Sequence, residues 1–403
     1  MIAILATHPI QNQTPVWRML ATRARAPVKV FYLSRQGLAC RRDPGFGRAF
    51  AWDVDLLDGY EHEFARAREA RRQESFFWLS LAENLPRRMR VEGARVVWLQ
   101  GWQTLAYWQA VALARVAGLP VWMRGETNVL SAGRGGVRRL ALAALFSRVD
   151  RFLCIGSANR DYYLSRGVAA ERLAPAPYCV DNDEIARSAE ALRPERARLR
   201  EAFGIPPDAF CVAFVGKLLA RKRPFDLVDA ARALNFRGRG RPVHLLFVGD
   251  GELRAQLQAE CPEASFTGFL NQSRIAEAYV AADCLALPSE ASETWGLVVN
   301  EAMASGLPAV VSDSCGCAAD LVRPYWSELT HRCGDALGLA KALAAVRTAP
   351  PAPLELRAAV ARHDPLLTVE TVERCYAELL RDPAPKSAYA DLPGPHASDP
   401  RRA

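Results

Sequence analysis

Residues 284–313 read CLALPSEASETWGLVVNEAMASGLPAVVSD, a strand, a loop, a helix and a second strand. Cys284 to Leu287 is a short apolar run cut off by Pro288-Ser289, the pattern of a strand buried in a parallel sheet. Leu297 to Ala304 is a helical run that stops at Ser305-Gly306, and Pro308 to Val311 is the next strand. The helix therefore begins near Trp295-Gly296-Leu297, with its first amides above the C-terminal edge of the sheet. Free N–H groups and the positive end of the helix dipole make that place an anion site. Gly296 leaves room for a phosphate against the backbone. Glu293 precedes the helix and Glu301 lies about a turn inside it. The plain alternative is that both acids are solvated, with Glu293 merely favouring the dipole.

In the functional reading one carboxylate faces the reacting end of a ligand, the other accepts from ribose hydroxyls, and a diphosphate lies between them. The run ETWGLVVNEAMASGLPAVVSD resembles the donor-site signature of retaining glycosyltransferases of family 4, the group 1 glycosyltransferases. In that signature two glutamates flank seven residues ahead of Ala-Met-Ala-x-Gly-x-Pro. The resemblance implies an α/β fold of the GT-B type, two Rossmann-like doubly wound domains facing each other across a cleft. It divides the chain into an acceptor domain (1–185), a nucleotide-sugar domain (186–365) and a helix (366–381) that crosses back to the first domain. Residues 382–403, rich in Pro, Ala and charge, are expected to be disordered.

Composition sets the outer bounds. The 403 residues suffice for two cores, and half of them are hydrophobic. No uncharged apolar run is long enough to cross a membrane, and the apolar start Met1 to Thr7 reads as a first strand and not as a signal peptide. Ten scattered cysteines, with only Cys315-x-Cys317 close in sequence, argue for a reduced, cytoplasmic compartment and against a metal cluster. The net charge of +8 is uneven: Met1 to Glu184 holds 26 basic and 17 acidic residues, the remainder 26 and 27. A basic first half points to an anionic partner, such as the inner face of a membrane or a lipid-linked diphosphate, or is solvated arginine bias. Nothing resembles a nucleic-acid module.

In the first half, strand Ile2 to Ala6 leads into a loop with His8, Gln11, Asn12 and Gln13, side chains suited to sugar hydroxyls. This loop lacks the glycines many relatives have there. Cys40 to Phe50 reads as loop, and Tyr60 to Arg90, with its alternating arginines and acids, as a solvated helix face. Strands ending at Leu99 and Met123 open on one crevice. Trp102 there is placed to stack on a sugar, and Arg124 and Glu126 to form a polar pair lining the cleft. Gly133 to Arg148 is a basic amphipathic segment that either covers the domain or touches a bilayer.

In the second half, strand Phe210 to Val215 ends in Gly216, followed by Lys217 and Lys222. The chain has only five lysines against 47 arginines, so two of them five positions apart at a strand end stand out. Lysine is a mobile point charge suited to phosphate. The segment resembles the family's diphosphate clamp, with Arg223 where a glycine is usual. Gly268, in FTGF, would lie under the nucleotide base.

The expected function is metal-independent, retaining transfer of a sugar from a nucleotide-diphosphate sugar, the co-substrate, to a glycan, lipid-linked or small-molecule hydroxyl. No other cofactor is expected. Glu293, Lys217 and Lys222 would be catalytic; Gly216, Gly268, Gly296, Leu297 and Glu301 would bind the donor; His8, Gln11, Trp102, Arg124 and Glu126 would face the acceptor. The rivals are a GT-B sugar-nucleotide epimerase and a non-catalytic protein that binds anionic lipid or nucleic acid.

Overall fold

Short apolar strands alternating with helices assemble into two parallel sheets. The computed structural model describes residues 1–381 apart from 24, 39, 44, 73, 74, 132–135, 237 and 239; the tail 382–403 lies outside the described residues. The first sheet runs, in space, Leu173–Pro175, Arg151–Cys154, Val121–Met123, Val96–Leu99, Ile2–Ala6, Val28–Tyr32, Glu61–Phe64. The second runs Ser265–Gly268, Val243–Val248, Phe210–Val215, Cys284–Leu287, Ala309–Ser312, Thr330–His331. Numbered within each domain, both follow the order 3-2-1-4-5-6, and the first adds a seventh strand. The central strands of both sheets are buried along their whole length, covered by helices on both faces, and so read as unbroken apolar runs.

This order fixes where a ligand goes. Between the first and fourth strands the chain winds off in opposite directions, leaving a crevice at their C-terminal ends. In the second domain that point lies between Phe210–Val215 and Cys284–Leu287, which pair directly. Gly216-Lys217 and the loop from Pro288 therefore leave the sheet side by side.

Two expectations are corrected. Residues 60–90 are not one charged helix. Glu61–Phe64 is the edge strand, Ala67–Glu69 pairs with Leu79–Leu81, and among the described residues of this stretch only Leu85–Val91 is helical. The charges serve the sheet edge: Lys29 meets Glu61 at 3.6 Å, Glu63 at 3.1 Å and Glu92 at 3.0 Å, and Arg88 meets Glu63 at 2.6 Å. Glu61 and Glu63 are two apart, so a strand puts both on the face of Lys29 where a helix would not. Residues 40–50 are not plain loop either, because Arg41–Asp43 pairs antiparallel with Arg48–Phe50. The resulting hairpin reaches the other domain, where Phe269 meets Phe50 at 4.5 Å and Phe46 at 5.0 Å between ring centroids.

The last helix, Pro365–Arg381, lies on the first domain. Its Val369, Val372 and Cys375 share a core with Val16, Trp17 and Leu20 of helix Thr14–Arg23. Glu378 meets Arg151 at 2.7 Å, and Glu373 accepts from the Arg25 amide at 3.0 Å. Among the described residues no helix is long and apolar enough to cross a membrane.

Candidate active site

Lys222 ends a short turn, Ala220–Lys222, and its ammonium forms an ion pair with the Glu293 carboxylate. Both side chains are mostly buried, 16% and 15% exposed. Arg223 follows in the left-handed conformation (φ 52°), the backbone state that explains why a glycine is usual there. Its guanidinium holds Asp226 at 2.6 and 3.0 Å and reaches Glu290 at 3.4 Å, contacts that help offset a backbone cost of about 1–2 kcal/mol.

The loop that carries Glu293 is fastened on several sides. The Glu290 amide donates to the Arg221 carbonyl at 3.0 Å, the Gly316 amide to the Glu293 carbonyl at 3.1 Å, and the Cys317 amide to the Trp295 carbonyl at 3.1 Å. From the first domain, Asn128 Nδ2 donates to the Thr294 carbonyl at 2.9 Å. The indole of Trp295, 2% exposed, donates to Asn300 Oδ1 at 2.8 Å, and Asn300 Nδ2 donates to the Tyr178 carbonyl at 3.2 Å across the domain seam. Gly296 turns the chain into the helix at φ 105°, where a Cβ would stand 2.6 Å from Leu287. No side chain caps helix Leu297–Ala304, so its opening amides keep their pull on an anion.

A cavity of about 340 Å³ lies between the domains. Gly216, Leu297 and Glu301 line it from the second domain, and Gln11, Phe46 and Trp52 from the first. Lys217 stands at its edge, its ammonium 4.9 Å from the Phe46 ring centroid. Glu301 accepts a hydrogen bond from the Tyr279 hydroxyl. Burial pushes the Glu301 carboxyl up to about 7 from 4.5, against the opposing pull of hydrogen bonds from Tyr279 and Gln272.

That shift has a sign that can be measured. The folded carboxyl holds its proton to a higher pH than the unfolded one, so its contribution to stability is whole below pH 4.5 and shrinks as the pH rises to about 7. Glu301→Gln removes this term. The variant should therefore gain on the wild type by up to about 3 kcal/mol between pH 5 and 8 in urea unfolding. A constant difference across that range would show that Glu301 keeps an ordinary carboxylate pKa.

The expected residues thus gather in part. Gly216, Leu297, Glu301 and Gln11 line one cavity, with Lys217 at its rim. Lys222 and Glu293 meet each other at the switch point. Gly268 stands one residue before the cavity-lining Phe269, its carbonyl taken by the Gly249 amide at 2.8 Å. On the first domain the picture changes. Trp102 borders a second cavity of about 670 Å³ with Glu126, but its ring is packed, not open for sugar stacking: it lies parallel to Tyr162 at 6.2 Å and is 6% exposed. Gly125 permits this packing, since a Cβ there would stand 1.8 Å from the indole. Arg124 and Glu126 do not pair with each other; both turn to Tyr178. The Arg124 guanidinium lies 5.1 Å from that ring's centroid, and the phenol donates to Glu126 at 2.6 Å. His8 shares a hydrogen bond with Thr7 at 3.0 Å, and burial pushes its pKa down to about 4, so the ring is neutral.

Sequence reasoning missed Tyr279, Asn128, Asn300 and the aromatic residues Phe46, Phe50 and Trp52. Asn300, lying between the two acids and completely buried, carried a signal, because a buried carboxamide requires partners.

Residues 195–362 match the family model described as glycosyl transferases group 1. Over 238 residues the chain is 33% identical to a GDP-mannose-dependent alpha-mannosyltransferase of Mycobacterium tuberculosis (strain CDC 1551 / Oshkosh), covering 56% of this chain and 58% of that protein. The chain spans about half the length of the curated relatives it matches. Among solved structures, a glycosyltransferase from Rickettsia africae superposes with a TM-score of 0.71 at 11% identity, covering 94% of this chain and 98% of that one. Anabaena HepE in complex with UDP and glucose superposes with a TM-score of 0.66 at 16% identity, covering 94% and 99%. At these identities the likeness establishes the fold, the two-domain GT-B arrangement.

Proposed function

We propose that this chain, whose residues 195–362 match the glycosyl transferases group 1 model, moves a sugar from a nucleotide-diphosphate sugar to a hydroxyl of a glycan, lipid-linked or small-molecule acceptor, with retention and without a metal. The observation that carries the reading is the Lys222–Glu293 pair at the switch point, beside an uncapped helix N-terminus and an interdomain cavity that holds Glu301. The names of the relatives support it: one is GDP-mannose-dependent, and another binds UDP and glucose.

The chemical task is to break the anomeric C–O bond while charge builds on the leaving phosphate. Lys217, Lys222 and the first amides of the helix supply fixed positive charge where that charge grows, usually the largest catalytic contribution. The ion pair is then the resting form. An arriving diphosphate takes over the ammonium of Lys222 and frees the Glu293 carboxylate to face the sugar hydroxyls and the cationic anomeric carbon. Glu301 accepts from the ribose, and the resemblance to family 4 supplies the front-face course, with the leaving phosphate taking the acceptor proton. No cofactor beyond the nucleotide sugar is called for. Helix Gly136–Phe146 exposes Val137 and Leu140 beside Arg138 and Arg139, which supports a peripheral stance on an anionic, inner membrane face.

Thermal unfolding with UDP, GDP, ADP and their sugars tests the donor class. A nucleotide present at about 100 times its Kd should stabilise the fold by about 2.7 kcal/mol. Product analysis then separates transfer from epimerisation, and a free epimerised nucleotide sugar as the sole product would replace the proposal with its rival.

A further inference from the structure

The family resemblance gives the donor to the second domain, yet the cavity that holds Glu301 is walled in part by aromatic rings of the first. Phe46 lies at the turn between the paired strands Arg41–Asp43 and Arg48–Phe50, and Trp52 follows two residues after them. Both line the cavity, as does Phe269 of the second domain. The rings belong to one cluster. Trp52 stands 5.2 Å from Phe50 and 6.2 Å from Phe269 between centroids, and Phe46 stands 5.0 Å from Phe269.

Trp52 is pinned through both of its neighbours. Asn271 Nδ2 donates to the Ala51 carbonyl at 2.8 Å. On the other side the Ser273 amide donates to the Asp53 carboxylate at 3.2 Å, and the Ser273 hydroxyl donates to it as well. An indole held this way loses little freedom when it meets a flat ligand. The carboxamide of Asn271 is engaged at its other end too, because its oxygen accepts from the Gln272 amide at 2.9 Å. This corner of the cavity therefore offers a heterocycle ring surface, with the nearby carboxamide already committed to the fold.

We propose that the nucleobase of the donor stacks on Trp52, with Phe46 and Phe269 as its other apolar neighbours, so that the first domain supplies part of the donor site. This placement rests on the transferase reading above. There Glu301 accepts from the ribose, and Gly268, by the resemblance, lies under the base. A nucleoside anchored at Glu301 then directs its base to the corner where Phe269 and Trp52 border the same cavity. Every base has a π face, so a stacking contact adds affinity while separating one base from another only weakly.

Fluorescence titration of the full chain with UDP, GDP and ADP tests the contact. Nucleotide binding should quench the indole emission of the wild type, and Trp52→Phe should remove most of that quench. Trp52→Ala should weaken the nucleotide that binds by about tenfold or more. The indole is only half-buried, so the urea midpoint without nucleotide should stay near that of the wild type, and Trp52→Phe guards against a variant that folds poorly. Ser273→Ala cuts the hydroxyl's tie to Asp53 and leaves every ring in place; it should weaken binding by less than about threefold. A loss in Ser273→Ala equal to that in Trp52→Ala, or affinity and quench unchanged in both Trp52 variants, overturns the proposal. Wild-type binding is read first. If none of the three nucleotides binds, the donor reading falls and takes this contact with it; if the wild type binds and Trp52→Ala matches it, this contact alone falls.

Discussion

Lys222→Ala should lower sugar transfer by about 10²–10³-fold, the cost of removing one fixed donor from the point where a leaving group gathers charge. Glu293→Ala should lose a comparable factor. A structural role alone predicts something different. The pair is mostly buried, so deleting one partner strands the other in a poorly solvated place and lowers stability, by up to about 3 kcal/mol. A double variant, Lys222→Met/Glu293→Gln, removes both charges and should recover most of that stability while transfer stays low. Initial rates and urea midpoints on the three variants separate the two roles. Transfer close to wild type in either alanine variant would end the assignment of this pair to the chemistry.

Trp295→Ala should destabilise the protein by about 3–5 kcal/mol, the range for emptying a large aromatic site in a packed core. The side chain is 2% exposed, lies 5.4 Å from the His363 ring, and its N–H is the partner that occupies Asn300. Removing it leaves a void and an unsatisfied buried carboxamide oxygen, both costly. It also loosens the seam, because the same Asn300 holds the Tyr178 carbonyl of the other domain. Asn300→Asp keeps the acceptor for the indole but loses the donor to Tyr178, and should cost less, about 1–3 kcal/mol. Denaturant unfolding followed by tryptophan fluorescence measures both. A shift below about 1 kcal/mol for Trp295→Ala would show that the seam is held elsewhere.

The buried strands were legible because burial on both faces forces an apolar run, and the helix at Leu297 because glycine and a helical repeat mark its ends. Lys217, Lys222, Glu293 and Glu301 were legible as residue types at fixed distances from strand ends. Residues 61–69 misled because alternating charge fits a solvated helix as well as an edge strand, and only the distant Lys29 decides between them. Trp102 misled because a strand-end indole looks available until Tyr162 is seen to cover it. The aromatic hairpin could not be read locally at all, since Phe46 and Phe50 gain their purpose from Phe269, more than two hundred positions away.

That hairpin has a consequence for traffic. Phe46 and Trp52 of one domain roof a cavity floored by the other, and Asn271 Nδ2 ties the strap at the Ala51 carbonyl, 2.8 Å away. Spreading the two halves has to peel these rings from Phe269 and wet their faces. On the proposed reading, emptying the cavity and undoing this strap are one event.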